Sequence, residues 1–388
     1  MLDPTSTAST QFTLDADQVA VREMARGFAA ETFAPNAIAW DEAKHFPVAE
    51  MRQAAALGMG GIFVAEEFGG SGLSRLTGTL IFEALATGCP TTSAFMSIHN
   101  MIAGLIDMFG SDEQRRQWLP KLCAMDLLAS YCLSEPGAGS DAAALATRAT
   151  RDGDDYVVNG QKQFISGGGA SDLYLVMARS GGEGPSGISA LLVPGDSPGL
   201  SFGANERKMG WNAQPTRAVT FENVRVPAAN RLGAEGVGFK IAMAGLDGGR
   251  LNIAACSLGG AQSALDKTIA YMANRKAFGR RLDEFQALQF RLADMATALE
   301  ASRALLWQAA GALDRNDAHA SRLSAMAKRF VTDACFDVAN QALQLHGGYG
   351  YLSEYGIEKI VRDLRVHQIL EGTNEIMRLI VARSLLSR

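Results

Sequence analysis

Cysteine is scarce in this 388-residue sequence: Cys89, Cys123, Cys132, Cys256 and Cys335 are odd in number, scattered, and form no C-x-x-C. That pattern excludes a disulfide framework and predicts reduced thiols in the core. The five histidines show no metal-ligand spacing, so no metal site is expected. No run of about 18 apolar residues is available to span a bilayer. Long basic runs are also missing, and 36 basic against 41 acidic residues leave a net charge of −5. Neither nucleic acid nor a membrane is therefore expected as a partner. The first basic residue is Arg22, behind a Ser/Thr-rich start carrying Asp3, Asp15 and Asp17. A secretory signal needs a basic start, and a mitochondrial presequence is Arg-rich and acid-poor. The expected compartment is the bacterial cytoplasm, or the mitochondrial matrix for an already processed eukaryotic chain.

What is present is ample core material, with 47% hydrophobic and 20% charged residues. At about 150 residues per domain the length predicts two or three domains. Three textures follow one another. Residues 1–126 read as helical, broken at Phe33-Ala-Pro35, with a Gly-rich loop at Glu66-Glu-Phe-Gly-Gly-Ser-Gly72. Ser111-Asp-Glu-Gln114 is a helix start, since Ser111 can cap and the acids suit the helix dipole. Residues 127–233 hold short β-type runs such as Tyr156-Val-Val158, Leu173–Met177, Ile188–Val193 and Ala218–Phe221, separated by Gly and Pro. Without intervening long helices, an antiparallel barrel or sandwich is expected there. Residues 234–388 are helical again. Leu288, Leu292, Met295, Leu299, Ser302, Leu306, Ala309 and Leu313 recur at steps of three and four, the buried stripe of a bundle helix. The fold class is α+β, mostly α.

Gly137-Ala-Gly-Ser-Asp-Ala142 matches the dinucleotide pattern G-x-G-x-x-A. That pattern works only between a strand and a long helix within a βαβ unit. Here the turn-like Glu135-Pro136 precedes it and β-type segments follow. A nicotinamide site is not expected; the glycines let backbone N–H groups approach some other cofactor.

From Tyr131-Cys-Leu-Ser-Glu-Pro-Gly-Ala-Gly-Ser-Asp141 the chain resembles the acyl-CoA dehydrogenase family, and the resemblance runs in order along nearly its whole length. It includes Glu66–Gly72, Val226–Phe239, Arg275-Lys-Ala-Phe-Gly279, Gln286, Gln344-Leu-His-Gly-Gly348, Arg362-Asp-Leu-Arg365 and Glu371-Gly-Thr-Asn-Glu375. It implies a helical domain, a central β-domain and a C-terminal four-helix bundle. Gly245–Arg250, Gly210–Arg217 and Val366–Glu371 look most like the isobutyryl-CoA dehydrogenase branch. Phe164-Ile-Ser-Gly167 departs from the commoner Trp-Ile-Thr/Ser-Asn, and Leu370 from a Tyr before the catalytic Glu. Both departures bear on contacts near the flavin or acyl chain, and Phe95, Met96 and Leu370 are expected to set the pocket volume.

The implied reaction is α,β-desaturation of a short branched acyl-CoA, isobutyryl-CoA to methacrylyl-CoA in valine breakdown. A carboxylate takes the α-proton and the β-hydrogen leaves as hydride to flavin N5. Donors at the thioester carbonyl must stabilise the enolate; in the family these are the backbone N–H of the base and the ribityl 2′-hydroxyl. The resemblance assigns the base to Glu371, with Gly249 where other branches carry it. FAD contacts fall on Tyr131, Leu133, Ser134, Gly139, Ser140, Phe164, Ile165 and Ser166. Phe278 and Phe285 are also assigned to FAD, and Arg275 and Gln286 would reach it from a neighbouring subunit. Gln344, Gly347, Gly348, Thr373 and Glu375 complete that set. Substrate contacts fall on Ser140, Asp247, Gly248, Gly249, Arg250 and Arg383. A homotetramer and an electron-transfer flavoprotein as acceptor are also implied.

Plainer readings stand beside these. Glu371 and Glu375 could be acids favoured near a helix start, Arg275 a solvated helix-end residue, and Arg383 a C-terminal cation. Asp247 and Arg250 could form an i,i+3 ion pair. A short-chain or 2-methylbutyryl-CoA dehydrogenase, a flavin monooxygenase or oxidase, and an idle FAD-bound relative are the competing functions; an intact Glu371 argues against the last two.

Overall fold

The structure, a computed structural model, describes residues 13–386. Six helices come first: α1 (Ala16–Phe28), α2 (Ala37–Ala43), α3 (Val48–Ala54), α4 (Arg75–Gly88), α5 (Pro90–Phe109) and α6 (Asp112–Cys123). Their starts are marked by acceptors for free helix N–H groups. Asp15 and Gln18 exchange side-chain and backbone bonds of 2.8 and 3.1 Å at the head of α1. Ser111 and Gln114 make the same capping box for α6, with Asp112 and Glu113 in its first turn, as the sequence predicts. The break expected near Pro35 falls between a π turn at Ala29–Phe33 and α2.

The middle of the chain holds β1 (Ala129–Cys132), β2 (Arg148–Asp152), β3 (Asp155–Ser166), β4 (Leu173–Arg179), β5 (Ile188–Pro194), β6 (Leu200–Phe202), β7 (Thr216–Pro227) and β8 (Arg231–Leu232). They form one sheet ordered β6-β7-β3-β2-β4-β5-β8, with β1 alongside β4. Of the expected antiparallel barrel or sandwich, the closed form is not adopted, and the strand directions differ in one respect. The end strands β6 and β8 do not pair with each other, so the sheet stays open and no closed barrel forms among the described residues. In addition, β1 and β2 run parallel to β4, β1 along Leu173–Val176 and β2 at Arg179. The 133–147 connection leaves the sheet where β1 ends opposite Val176 and rejoins it farther along the same edge of β4, at Arg179, still running in the same direction. In place of the long helix a dinucleotide fold requires, that connection has only a 3-10 turn at Ala142–Ala144.

After β8 come α7 (Gly238–Asn274), a hairpin of β9 (Lys276–Ala277) and β10 (Arg280–Arg281), then α8 (Gln286–Asp314), α9 (Ala320–His346), α10 (Ile357–Arg365) and α11 (Asn374–Leu386). α9 packs on α7, α8, α10 and α11, while α7 also packs on α4 and α5, so one core joins the two helical regions. The α8 stripe is as expected: Met295, Leu299, Ser302, Leu306 and Ala309 are buried, with Leu288, Leu292 and Leu313 half-buried against the core. All five cysteines are free and buried. His99 serves packing: burial lowers its pKa to about 4, and it links the Leu122 carbonyl of α6 to the Ala129 N–H of β1. Among the described residues no helix is long and apolar enough to cross a membrane.

Candidate active site

Glu371 lies on the short link between α10 and α11. Its φ is +56° and that of Gly372 is +87°, so two successive residues sit in the left-handed region. For a non-glycine residue that conformation costs about 1–3 kcal/mol and persists only when its surroundings fix it. Several bonds do so. Lys328 Nζ, from α9, donates to the Gly372 carbonyl and to Asn374 Oδ1, both at 2.8 Å. Asn374 Nδ2 donates to Asp333 Oδ1 at 2.7 Å and Thr332 Oγ1 at 3.0 Å. Thr373 Oγ1 accepts the Ile376 N–H at 3.3 Å and so caps α11.

The carboxyl itself is left free for chemistry. Its Oε2 is buried and has no hydrogen-bond partner among the described residues. Burial pushes the Glu371 pKa up to about 7, against the opposing pull of Arg250 and Lys328. A group poised near neutrality and lacking a partner is suited to take a proton. Gly249 of α7 makes room for it, since a Cβ there would lie 2.6 Å from Oε2.

Glu371 faces a cleft of about 370 Å³ lined by Tyr131, Leu133, Ser134, Gly139, Ser140, Phe164, Ile165, Ser166 and Arg250. These sequence-predicted residues, scattered along the chain, are thus brought together. A register shift in the β3–β7 ladder between Lys162 and Ile165 turns Phe164 out of the strand. With φ at +60° its ring is 67% exposed and borders the cleft. The 133–147 connection is clamped from beneath: buried Lys162 pairs with Glu135 at 2.7 Å and donates to the Leu133 carbonyl at 3.1 Å. Glu135 also accepts the Ala146 and Thr147 N–H groups.

The apolar lining differs from expectation. Leu370 lines the cleft, whereas Phe95 and Met96 do not; α5 turns Ser97, Ile98 and Met101 towards it instead. Phe95 packs edge-on against Phe46 at 4.7 Å and lies close behind Gly167. Because α5 is buried on almost every side, its sequence carries no sign of which face meets the cleft. Met243, Leu246 and Ile253 of α7 and Ile376 and Ile380 of α11 were not foreseen for the same reason or because they sit beyond the motifs. Trp211, within the Gly210–Arg217 motif, also borders the cleft. Its indole N–H donates to His367 Nε2 at 3.2 Å, and His367 Nδ1 meets Ser257 Oγ at 2.7 Å. Since Ser257 gives its own proton to the Ile253 carbonyl, His367 is the neutral Nδ1–H tautomer, consistent with a pKa lowered to about 3 by burial.

Other predicted residues lie elsewhere. Arg275, Gln344, Gly347 and Gly348 line a second cleft of about 530 Å³ that shares no lining residue with the first. Phe278 stands beside it at the hairpin tip, 96% exposed, with its ring 6.5 Å from Phe285; Gln286 opens α8. Asp247 and Arg250 form the plain i,i+3 ion pair at 2.6 Å, while Arg250 Nε reaches the Glu371 carbonyl at 3.4 Å. Gly248 backs onto Arg75. Glu375 is exposed and pairs with Arg378 at 3.2 Å, and Arg383 is exposed in the last turn of α11.

The first cleft suits a planar flavin. Its wall alternates apolar faces with the hydroxyls of Ser134, Ser140 and Ser166, Gly139 leaves open space, and the buried Tyr131 hydroxyl has no partner among the described residues. Models of the N-terminal, middle and C-terminal acyl-CoA dehydrogenase domains match residues 15–126, 130–224 and 236–386. The chain belongs to the acyl-CoA dehydrogenase family, flavoproteins that carry FAD and oxidise acyl-CoA thioesters. It is 56% identical over 373 residues to the mitochondrial isobutyryl-CoA dehydrogenase of Bos taurus, covering 96% of this chain and 90% of that protein. With the Dictyostelium discoideum isobutyryl-CoA dehydrogenase the identity is 57% over the same shares. The structure of butyryl-CoA dehydrogenase from Megasphaera elsdenii superposes with a TM-score of 0.94 at 36% identity, covering 97% of this chain and 99% of that one.

Proposed function

We propose that this enzyme converts isobutyryl-CoA to methacrylyl-CoA, a step of valine breakdown, with Glu371 removing the α-proton. The observation that carries the reading is the buried Glu371 carboxyl, without a hydrogen-bond partner at Oε2, facing a cleft bordered by Leu370, Ile253 and Trp211. The identity to isobutyryl-CoA dehydrogenases supports the choice of acyl group.

Bound along the wall from Tyr131 to Ser166, FAD supplies the acceptor for the β-hydride. The remaining work falls to the protein. The apolar side chains displace water from the acyl group, which sharpens every electrostatic interaction in the cleft. Glu371 holds the α-proton on its carboxyl, and its backbone N–H would serve as a donor to the enolate oxygen. Arg250 favours the carboxylate form before transfer. Arg275, Gln344, Gly347 and Gly348 act on the FAD of a neighbouring subunit within a homotetramer, and an electron-transfer flavoprotein reoxidises the enzyme.

Steady-state assays with isobutyryl-, butyryl-, 2-methylbutyryl- and isovaleryl-CoA and an artificial acceptor test the substrate. The highest kcat/KM is expected for isobutyryl-CoA; preference for butyryl-CoA would refute the branch assignment and leave the reaction class intact. Glu371→Gln is expected to lower turnover by about 10²–10⁴-fold with FAD still bound. Retained turnover would exclude Glu371 as the base.

A further inference from the structure

We propose that Lys328 is a positioning residue for the reaction, its ammonium fixing the left-handed Glu371–Gly372 turn and standing as one of two cations that act on the base. The proposal rests on Glu371 being that base. Lys328 is fully buried on α9, and its Nζ donates to the Gly372 carbonyl and Asn374 Oδ1, each at 2.8 Å. Both acceptors belong to the loop that carries Glu371. Among the described residues, the other two fully or nearly fully buried lysines are neutralised in contact: Lys162 by Glu135 and Lys359 by Asp363, at 2.7 and 2.6 Å. The hydrogen-bond partners of Lys328 are neutral instead. A buried ammonium without a contact counter-ion is costly, so its retention calls for a role that a structural ion pair does not fill.

The surroundings supply one. Glu371 is faced by Arg250 from α7, itself paired with Asp247, by Lys328 from α9 and by the Tyr131 hydroxyl from β1; Asp333 and Glu375 act on Lys328. Burial lowers the Lys328 pKa to about 7, and the Glu371 charge opposes that. Lys328 in turn favours the carboxylate of Glu371. Arg250 is the stronger of the two cations acting on the base, and Lys328 adds to it while holding the loop that carries it by two hydrogen bonds. Lys328 therefore bears both on where the carboxyl lies and on the pH at which it is ionised.

The test uses FAD-loaded Lys328→Gln and Lys328→Met. Glutamine retains N–H donors without charge; methionine retains neither. The acid limb of kcat/KM against pH is expected to move upward in both, by about one pH unit or more. Lys328→Met should lose at least tenfold more kcat than Lys328→Gln, and α-deuterated substrate should give a larger isotope effect in it. Flavin absorbance and melting temperature are recorded on the same samples. Lys328→Gln carries the test if Lys328→Met does not fold. An unmoved acid limb beside a lowered melting temperature would reduce Lys328 to a structural residue. That outcome is distinct from failure of the base assignment, which an active Glu371→Gln alone would show.

Discussion

At the scale of single residues, Glu371 gathers two costs, a left-handed backbone and a buried carboxyl. The second has a thermodynamic signature. The unfolded carboxyl ionises near 4.5, whereas the folded one does so at about 7. Between those values the folded protein holds a proton the unfolded chain releases, so this group favours folding in acid and disfavours it as pH rises through that window. A difference of about 2.5 units is worth about 3 kcal/mol. Glu371→Gln, which cannot ionise, should therefore melt above the wild type in alkaline buffer and show no advantage below pH 4.5; calorimetry across pH reads this directly. Glu371 was singled out by the collinear resemblance, since Glu-Gly-Thr by itself leaves open an ordinary acid near a helix start, and it does line the cleft. Lys328 was not: it lies 44 residues before Gly372, inside an ordinary helical pattern, and only packing joins them. The ion pair of Asp247 with Arg250 was also legible, because i,i+3 neighbours meet on any helix.

At the scale of elements, the cleft depends on the irregular parts of regular structures. The β3 register shift aims Phe164, and the Lys162–Glu135 pair beneath the 133–147 connection keeps the adjoining part of the wall in place. Lys162→Met would strand the Glu135 carboxylate in the interior. It is expected to cost about 3–5 kcal/mol and to weaken flavin retention, seen as a lower urea midpoint and flavin loss on gel filtration. The α8 stripe could be read because one face of that helix is buried and the other is wet. α5 and α7 could not be read in this way, since both are buried over much of their circumference and periodicity vanishes. Strand direction was equally hidden. The β-runs were visible, but whether β1 and β2 lie parallel to β4 depends on the route of the connection between them.

For the whole molecule, the order helical, β, helical was visible as a change of texture, while the open sheet and the separation of the predicted flavin contacts into two clefts were not. The second cleft with exposed Phe278 beside it fits a site completed by another subunit. Phe278→Asp should then lower the assembled mass and the flavin content together, as measured by sedimentation and absorbance; loss of mass with full flavin content would separate the two. One feature joins both clefts. α7 carries Arg250 within its first half and hands the chain to Arg275 at its end, over 37 residues without a break. At about 1.5 Å per residue it is a strut about 55 Å long. Deleting one residue from it would draw the two clefts together by about 1.5 Å and rotate one against the other by about 100°. Its composition can drift wherever packing allows, but its length is fixed by the demands at both ends. Side chains on this helix can therefore change the acyl end of the cleft, whereas a change in its length would disturb both clefts at once.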